Sequence, residues 1–92
     1  MFTWLNKQGV KSDQGYEFQF TDRFFAEYRE GNKIMTLPIE PGWRGGSSII
    51  YLQSGLEYWD NSKVPNLPEE KTRIRKNIKE AVEFQGLILE EL

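Results

Sequence analysis

"NLPEEKTRIRKNIKEAVEFQG", residues 66–86, is where the chain changes period. Leu67, Ile74, Ile78, Ala81 and Val82 recur at helical spacing and fall on one stripe. Asn66 stands at the N-cap position with Glu69 three residues on, a box-like pair. Pro68 lies in the first turn, where its missing N–H costs little. Glu69 and Glu70 suit the positive end of the helix dipole, and Gly86 suits the C′ stop. The pairs Glu69–Arg73, Lys76–Glu80 and Lys79–Glu83 at i,i+4 add about 0.3 kcal/mol each at best. The spacing predicts one amphipathic helix over residues 67–85 that must bury its apolar stripe against something.

The rest of the chain supplies a sheet. Tyr16-Glu17-Phe18-Gln19-Phe20 alternates strictly, putting three aromatics on one face. Thr21-Asp22-Arg23 reads as a tight turn, and Phe24–Arg29 as a second strand with imperfect alternation. Glu30-Gly31-Asn32 signals a hairpin. Lys33–Glu40 reads as a third strand, with Pro38 arguing for an edge or a bulge. Ser47–Leu52 is apolar enough for a central strand. Phe2–Leu5 is a further candidate strand, residues 6–15 read as a loop, and Leu87–Glu90 as a last strand or a docked tail. The expected fold is α+β: an antiparallel meander of four to five strands with one C-terminal helix packed on one face. The 92 residues are read as one domain, with strands over about 16–52.

Composition narrows the chemistry. The chain has no Cys and no His, so thiolates, disulfides and the usual neutral-pH base are missing. The absence of Cys fits a reducing cytoplasm. No apolar run approaches a membrane span, and the start Met-Phe-Thr-Trp-Leu-Asn-Lys does not read as a signal peptide. Twelve basic and fourteen acidic residues give a net charge of −2, evenly spread, which speaks against nucleic-acid binding by counterion release. Lys71, Arg75 and Lys79 do form a ridge on the helix, read as a solvated flank. The carboxylates Asp22, Glu27, Glu40, Glu57 and Asp60 show no spacing that marks a catalytic pair, and no metal or cofactor motif is present. The expectation is a protein that is not an enzyme.

"GWRGG", residues 42–46, lacks the Gly-Lys-Ser/Thr ending of a phosphate loop and does not open a helix. It reads as a turn between strands, or as a turn whose Trp43-Arg44 tip a partner touches, since Trp and Arg dominate binding hot spots. In Tyr58-Trp59, Trp59 reads as the core anchor and Tyr58 as partly exposed. Trp43 and Arg44, with Glu57 and Tyr58 placed beside them, are the candidate partner-binding residues.

"YLQSGLEYWD", a short polar loop, "LPEEKTRIRKNIKEAVEFQG" and the acidic tail "LILEEL" together resemble a family of small bacterial immunity proteins from polymorphic toxin systems. The matching positions are Tyr51, Ser54, Trp59, Asp60, Ile74, Ile78, Ala81 and Gly86, and upstream Tyr28, Glu30, Gly31, Ile39 and Glu40. The spacing from Ser54 to Trp59 is one residue longer than that pattern, and residues 1–15 are longer than expected. The resemblance implies a non-enzymatic protein that occludes a toxin domain, with Glu57, Asp60, Glu90 and Glu91 opposing a basic cleft. The rival expectation is a structural module that forms a homodimer through a sheet edge or face.

Overall fold

In a computed structural model that describes residues 1–91, alternation and period produce eight elements. These are β1 (Phe2–Asn6), β2 (Gly9–Ser12), β3 (Tyr16–Phe20), β4 (Phe25–Glu30), β5 (Lys33–Arg44), β6 (Ser47–Leu52), α1 (Pro68–Phe84) and β7 (Ile88–Glu91). The strands lie in chain order, each bonded to the next. The expected α+β class with one helix holds, but there are seven strands rather than four or five. The last pairing also departs from a meander: β7 runs parallel to β6, reached through α1.

The loop expected over residues 6–15 contains β2. Its Val10 is the strand's one bulky apolar side chain, paired across to Trp4 on one side and Phe18 on the other, and it is fully buried. Ser12 is buried beside it, and its Oγ accepts the Gln14 N–H at 2.9 Å. One apolar residue in four gives no readable alternation, yet the ladder on both sides holds the segment in place.

β5 is twelve residues long, and Pro38 marks where it changes partner. Residues 33–38 pair with β4, and residues 39–44 pair with β6. Around the change, the Ile39 N–H bonds the Phe24 carbonyl at 2.9 Å, and the Pro38 carbonyl accepts the Gln53 N–H at 3.0 Å. The register never asks Pro38 for the N–H it lacks, so a proline sits between two neighbours instead of on an edge or at a bulge. Met35, Leu37 and Ile39 share the buried face, while Ile34 points the other way.

α1 covers one face of the sheet. Ile74, Ile78, Ala81 and Val82 are buried against Tyr16, Phe18, Tyr28, Leu37 and Leu52 in one core cluster. The helix begins one residue later than the sequence signals predict. Leu67 is the N-cap, and a leucine side chain has no acceptor. Only the reciprocal half of a capping box forms, the Leu67 N–H reaching Glu70 Oε1 at 3.5 Å. Asn66, expected as the cap, instead turns inward and donates its amide to the Leu56 carbonyl at 2.9 Å. Ion pairs tie the helix to three other segments: Lys71 to Glu57 at 3.2 Å, Arg73 to Glu30 at 2.8 Å, and Arg75 to Glu91. No helix among the described residues is long and apolar enough to cross a membrane.

Candidate functional site

The five residues expected to form a turn, Gly42–Gly46, do not all do so. β5 runs on through Gly42, Trp43 and Arg44, which stand opposite Ile49, Ser48 and Ser47. The turn is only Gly45-Gly46, both with positive φ (57° and 85°), as a two-residue hairpin turn of the twisted kind requires. Gly42 is glycine for a different reason. A Cβ there would lie 2.4 Å from the Tyr51 ring, which packs across the strand at that point.

Because Trp43 and Arg44 are adjacent in a strand, they face opposite sides. Arg44 shares the outer face with Tyr51 and pairs with Glu90 at 3.0 Å. Trp43 shares the helix-side face with Ile39 and Pro41, but past the reach of α1, and is 70% exposed. Next to Pro41 lies an apolar groove of about 290 Å³, bounded by Phe20, Ile39, Pro41, Ile50, Leu87 and Arg23. It is the sheet surface the helix leaves bare where the chain turns off α1 towards β7. The β3–β4 turn forms one wall. Asp22 Oδ1 accepts the N–H groups of Phe24 at 2.7 Å and Phe25 at 3.0 Å, and Arg23 lies over the exposed Phe24 ring at 5.6 Å.

Glu57 and Tyr58 are not beside this hairpin. Their segment runs along the first half of β5, where Asp60 accepts the Thr36 N–H at 2.7 Å and the Thr36 hydroxyl at 2.6 Å. Thr36 precedes Trp43 by seven positions, which is roughly 23 Å of strand. The four residues therefore divide into Trp43 beside the groove, Arg44 on the reverse face, and Glu57 with Tyr58 at the far end of β5. Trp59 is buried and stacks on Tyr28 at 6.0 Å, as a core anchor should.

The acidic groups expected to oppose a basic cleft are engaged within the fold. Glu57 binds Lys71, Asp60 binds Thr36, Glu90 binds Arg44 and Glu91 binds Arg75. The basic ridge is likewise neutralised at Lys71 and Arg75. Sequence reasoning missed the groove because Phe20, Pro41 and Leu87 come from three segments with no shared pattern. It also missed a second exposed apolar patch, Trp4 with Phe84, whose rings lie 5.7 Å apart at the end of α1. Among the described residues no group of carboxylates is placed to hold a metal ion. Comparison with protein-family models, curated proteins and solved structures returns no match for this chain.

Proposed function

We propose that the chain is a non-enzymatic protein-binding module that works by occlusion, its partner a toxin domain as the resemblance to immunity proteins implies. The observation that carries this reading is Trp43: a large exposed aromatic on a short, tightly turned hairpin, beside an apolar groove that the helix leaves open. Such an anchor, held on a strand rather than a loose loop, loses little freedom on docking. Recognition on this reading is mainly apolar. Asp22 and Arg23 at the groove rim offer one charge of each sign, while Glu57, Asp60, Glu90 and Glu91 steer weakly because each already has a partner in the fold.

The test is to search the neighbouring genes for a toxin domain and to coexpress any such domain with this chain. A one-to-one complex and rescue of growth are expected, and Trp43→Ala should weaken the complex roughly thirtyfold with an unchanged melting temperature. No complex, or a complex indifferent to Trp43→Ala, refutes the reading.

A second reading, a homo-oligomeric assembly module, is favoured by the exposed patch that Trp4 of the outermost strand β1 forms with Phe84 of α1, and by β1 having a neighbour on one side only. Light scattering across a concentration series separates the two. A dimer abolished by Trp4→Glu and unaffected by Trp43→Ala supports assembly.

A further inference from the structure

β1 has one neighbour, β2, and its other side is an open margin. The ladder decides which backbone groups face that margin. The Asp13 N–H donates to the Met1 carbonyl at 3.1 Å, so Met1 and Asp13 are a hydrogen-bonded pair. On an antiparallel ladder such pairs alternate with non-bonded ones. Thr3 with Lys11 is therefore the next bonded pair, and Phe2 opposite Ser12 and Trp4 opposite Val10 are non-bonded. The N–H and C=O groups of Phe2 and Trp4 thus point away from β2, into the margin. Beyond Trp4 the pairing with β2 becomes irregular. The Asn6 side chain there is used locally, accepting the Gln8 N–H at 2.8 Å and donating to Gln19 at 3.2 Å. The regular free edge is Phe2-Thr3-Trp4.

This edge lacks the guards that keep strands from pairing between molecules. Phe2–Asn6 holds no charged residue and no proline. The opposite margin, on β7, is four residues long and carries Glu90 and Glu91, which would meet their own kind in a second copy. Beside the β1 margin, on the helix side, the side chains are aromatic. The Phe2 and Trp4 rings lie 5.0 and 5.7 Å from Phe84, and Trp4 and Phe84 are about half exposed.

We propose that two copies of this chain pair antiparallel through β1, about a two-fold axis at Thr3. That alignment sets Phe2 of each copy opposite Trp4 of the other. It gives every edge-facing N–H and C=O of the two stretches a partner, and no charge meets a like charge. Phe2, Trp4 and Phe84 of both copies merge into one aromatic ridge. The contact covers roughly 800–1,000 Å² over both copies, the size of a weak reversible dimer, so a dissociation constant of roughly 10–100 μM is expected. The pairing rests on the assembly reading and gives it a surface and a register. It does not rest on the toxin-binding reading, whose Trp43 belongs to another hairpin.

The chain has no cysteine, so one introduced thiol reports on its neighbour. Opposed residues of a non-bonded pair have Cα atoms about 4.5 Å apart, within disulfide reach. Thr3→Cys in the full chain is expected to give a disulfide-linked dimer under mild oxidation. Leu5→Cys, roughly 13 Å along the strand from its counterpart, and the exposed Lys63→Cys should not. Thr3 is exposed, so Thr3→Lys and Thr3→Glu should leave the fold intact. Each should weaken the dimer seen by light scattering about tenfold by opposing like charges, and an equal mixture of the two should restore it as a heterodimer. A dimer that Thr3→Lys leaves unchanged overturns this pairing while the assembly reading stands, and so does a Thr3→Cys link no faster than that of Lys63→Cys. A chain that stays monomeric to millimolar concentration overturns both.

Discussion

Tyr28 is the residue on which helix and sheet meet. It is fully buried in β4, stacks on Trp59, donates its hydroxyl to Glu30 and accepts the Asn77 amide at 2.9 Å. Glu30 in turn holds Arg73 through both carboxylate oxygens. Burial first, and then the Glu30 hydrogen bond, push the Tyr28 phenol above its ordinary value of 10.0. Burial also raises Tyr16, whose hydroxyl reaches Glu80. The folded state keeps these protons at a pH where the unfolded chain has released them. Their contribution is therefore complete below about pH 10 and is lost as pH rises further, with Tyr28, whose shift is large, approaching about 1.4 kcal/mol per pH unit. Urea denaturation across pH 8–11 checks this, with Tyr28→Phe giving a shallower alkaline decline. At pH 7 the same variant should cost about 1–2 kcal/mol, because Glu30 and Asn77 each lose a partner. Gly42→Ala should also destabilise, by about 1–2 kcal/mol, as the new methyl drives the Tyr51 ring off the strand.

At the level of elements, α1 has a packed middle and a weak beginning. Ile78→Ala should cost about 3 kcal/mol, read from the denaturation midpoint, since the side chain is completely enclosed. Leu67→Ser should do the reverse. Leu67 is exposed and extended at the N-cap, and a hydroxyl there completes the box that Glu70 already half makes. A gain of about 1 kcal/mol is expected, visible as a higher melting temperature. The helix was legible to within a residue at each end because its stripe is long and regular. β3 and β6 were legible over their full spans, β3 because its aromatics alternate and β6 because of its apolar density, and β4 was legible to within a residue at each end. β5 was cut short at Glu40 because Pro41 and Gly42 carry the composition of a breaker. In the fold, Pro41 stands opposite Ile50, and the Tyr51 ring fills the space that Gly42 leaves. Local composition cannot register a ring supplied by the neighbouring strand.

For the whole molecule, the parts that escaped sequence reasoning are those made by distant contacts. β2 exists through Trp4 and Phe18 on its flanks, and the parallel pairing of β7, whose segment the sequence offered as a strand or a docked tail, exists through β6. The site divided for the same reason. Trp43 was legible as an exposed anchor, whereas its separation from Glu57 and Tyr58 depends on how the segment after β6 folds back along β5. Ending the chain at Gly86 removes β7, the Arg75–Glu91 and Arg44–Glu90 pairs, and the packing of Leu87 and Leu89 on the core. That truncation should lose most of the stability typical of a domain this size, seen as a broadened or absent melting transition. β7 also sets an order of events. Ile49 meets Ile88 roughly forty positions further along the chain, and the intervening segment must lay the helix across the sheet first. During synthesis β6 waits as an open margin until residues 88–91 have left the ribosome, so that short segment decides when this sheet becomes proof against proteases and self-association.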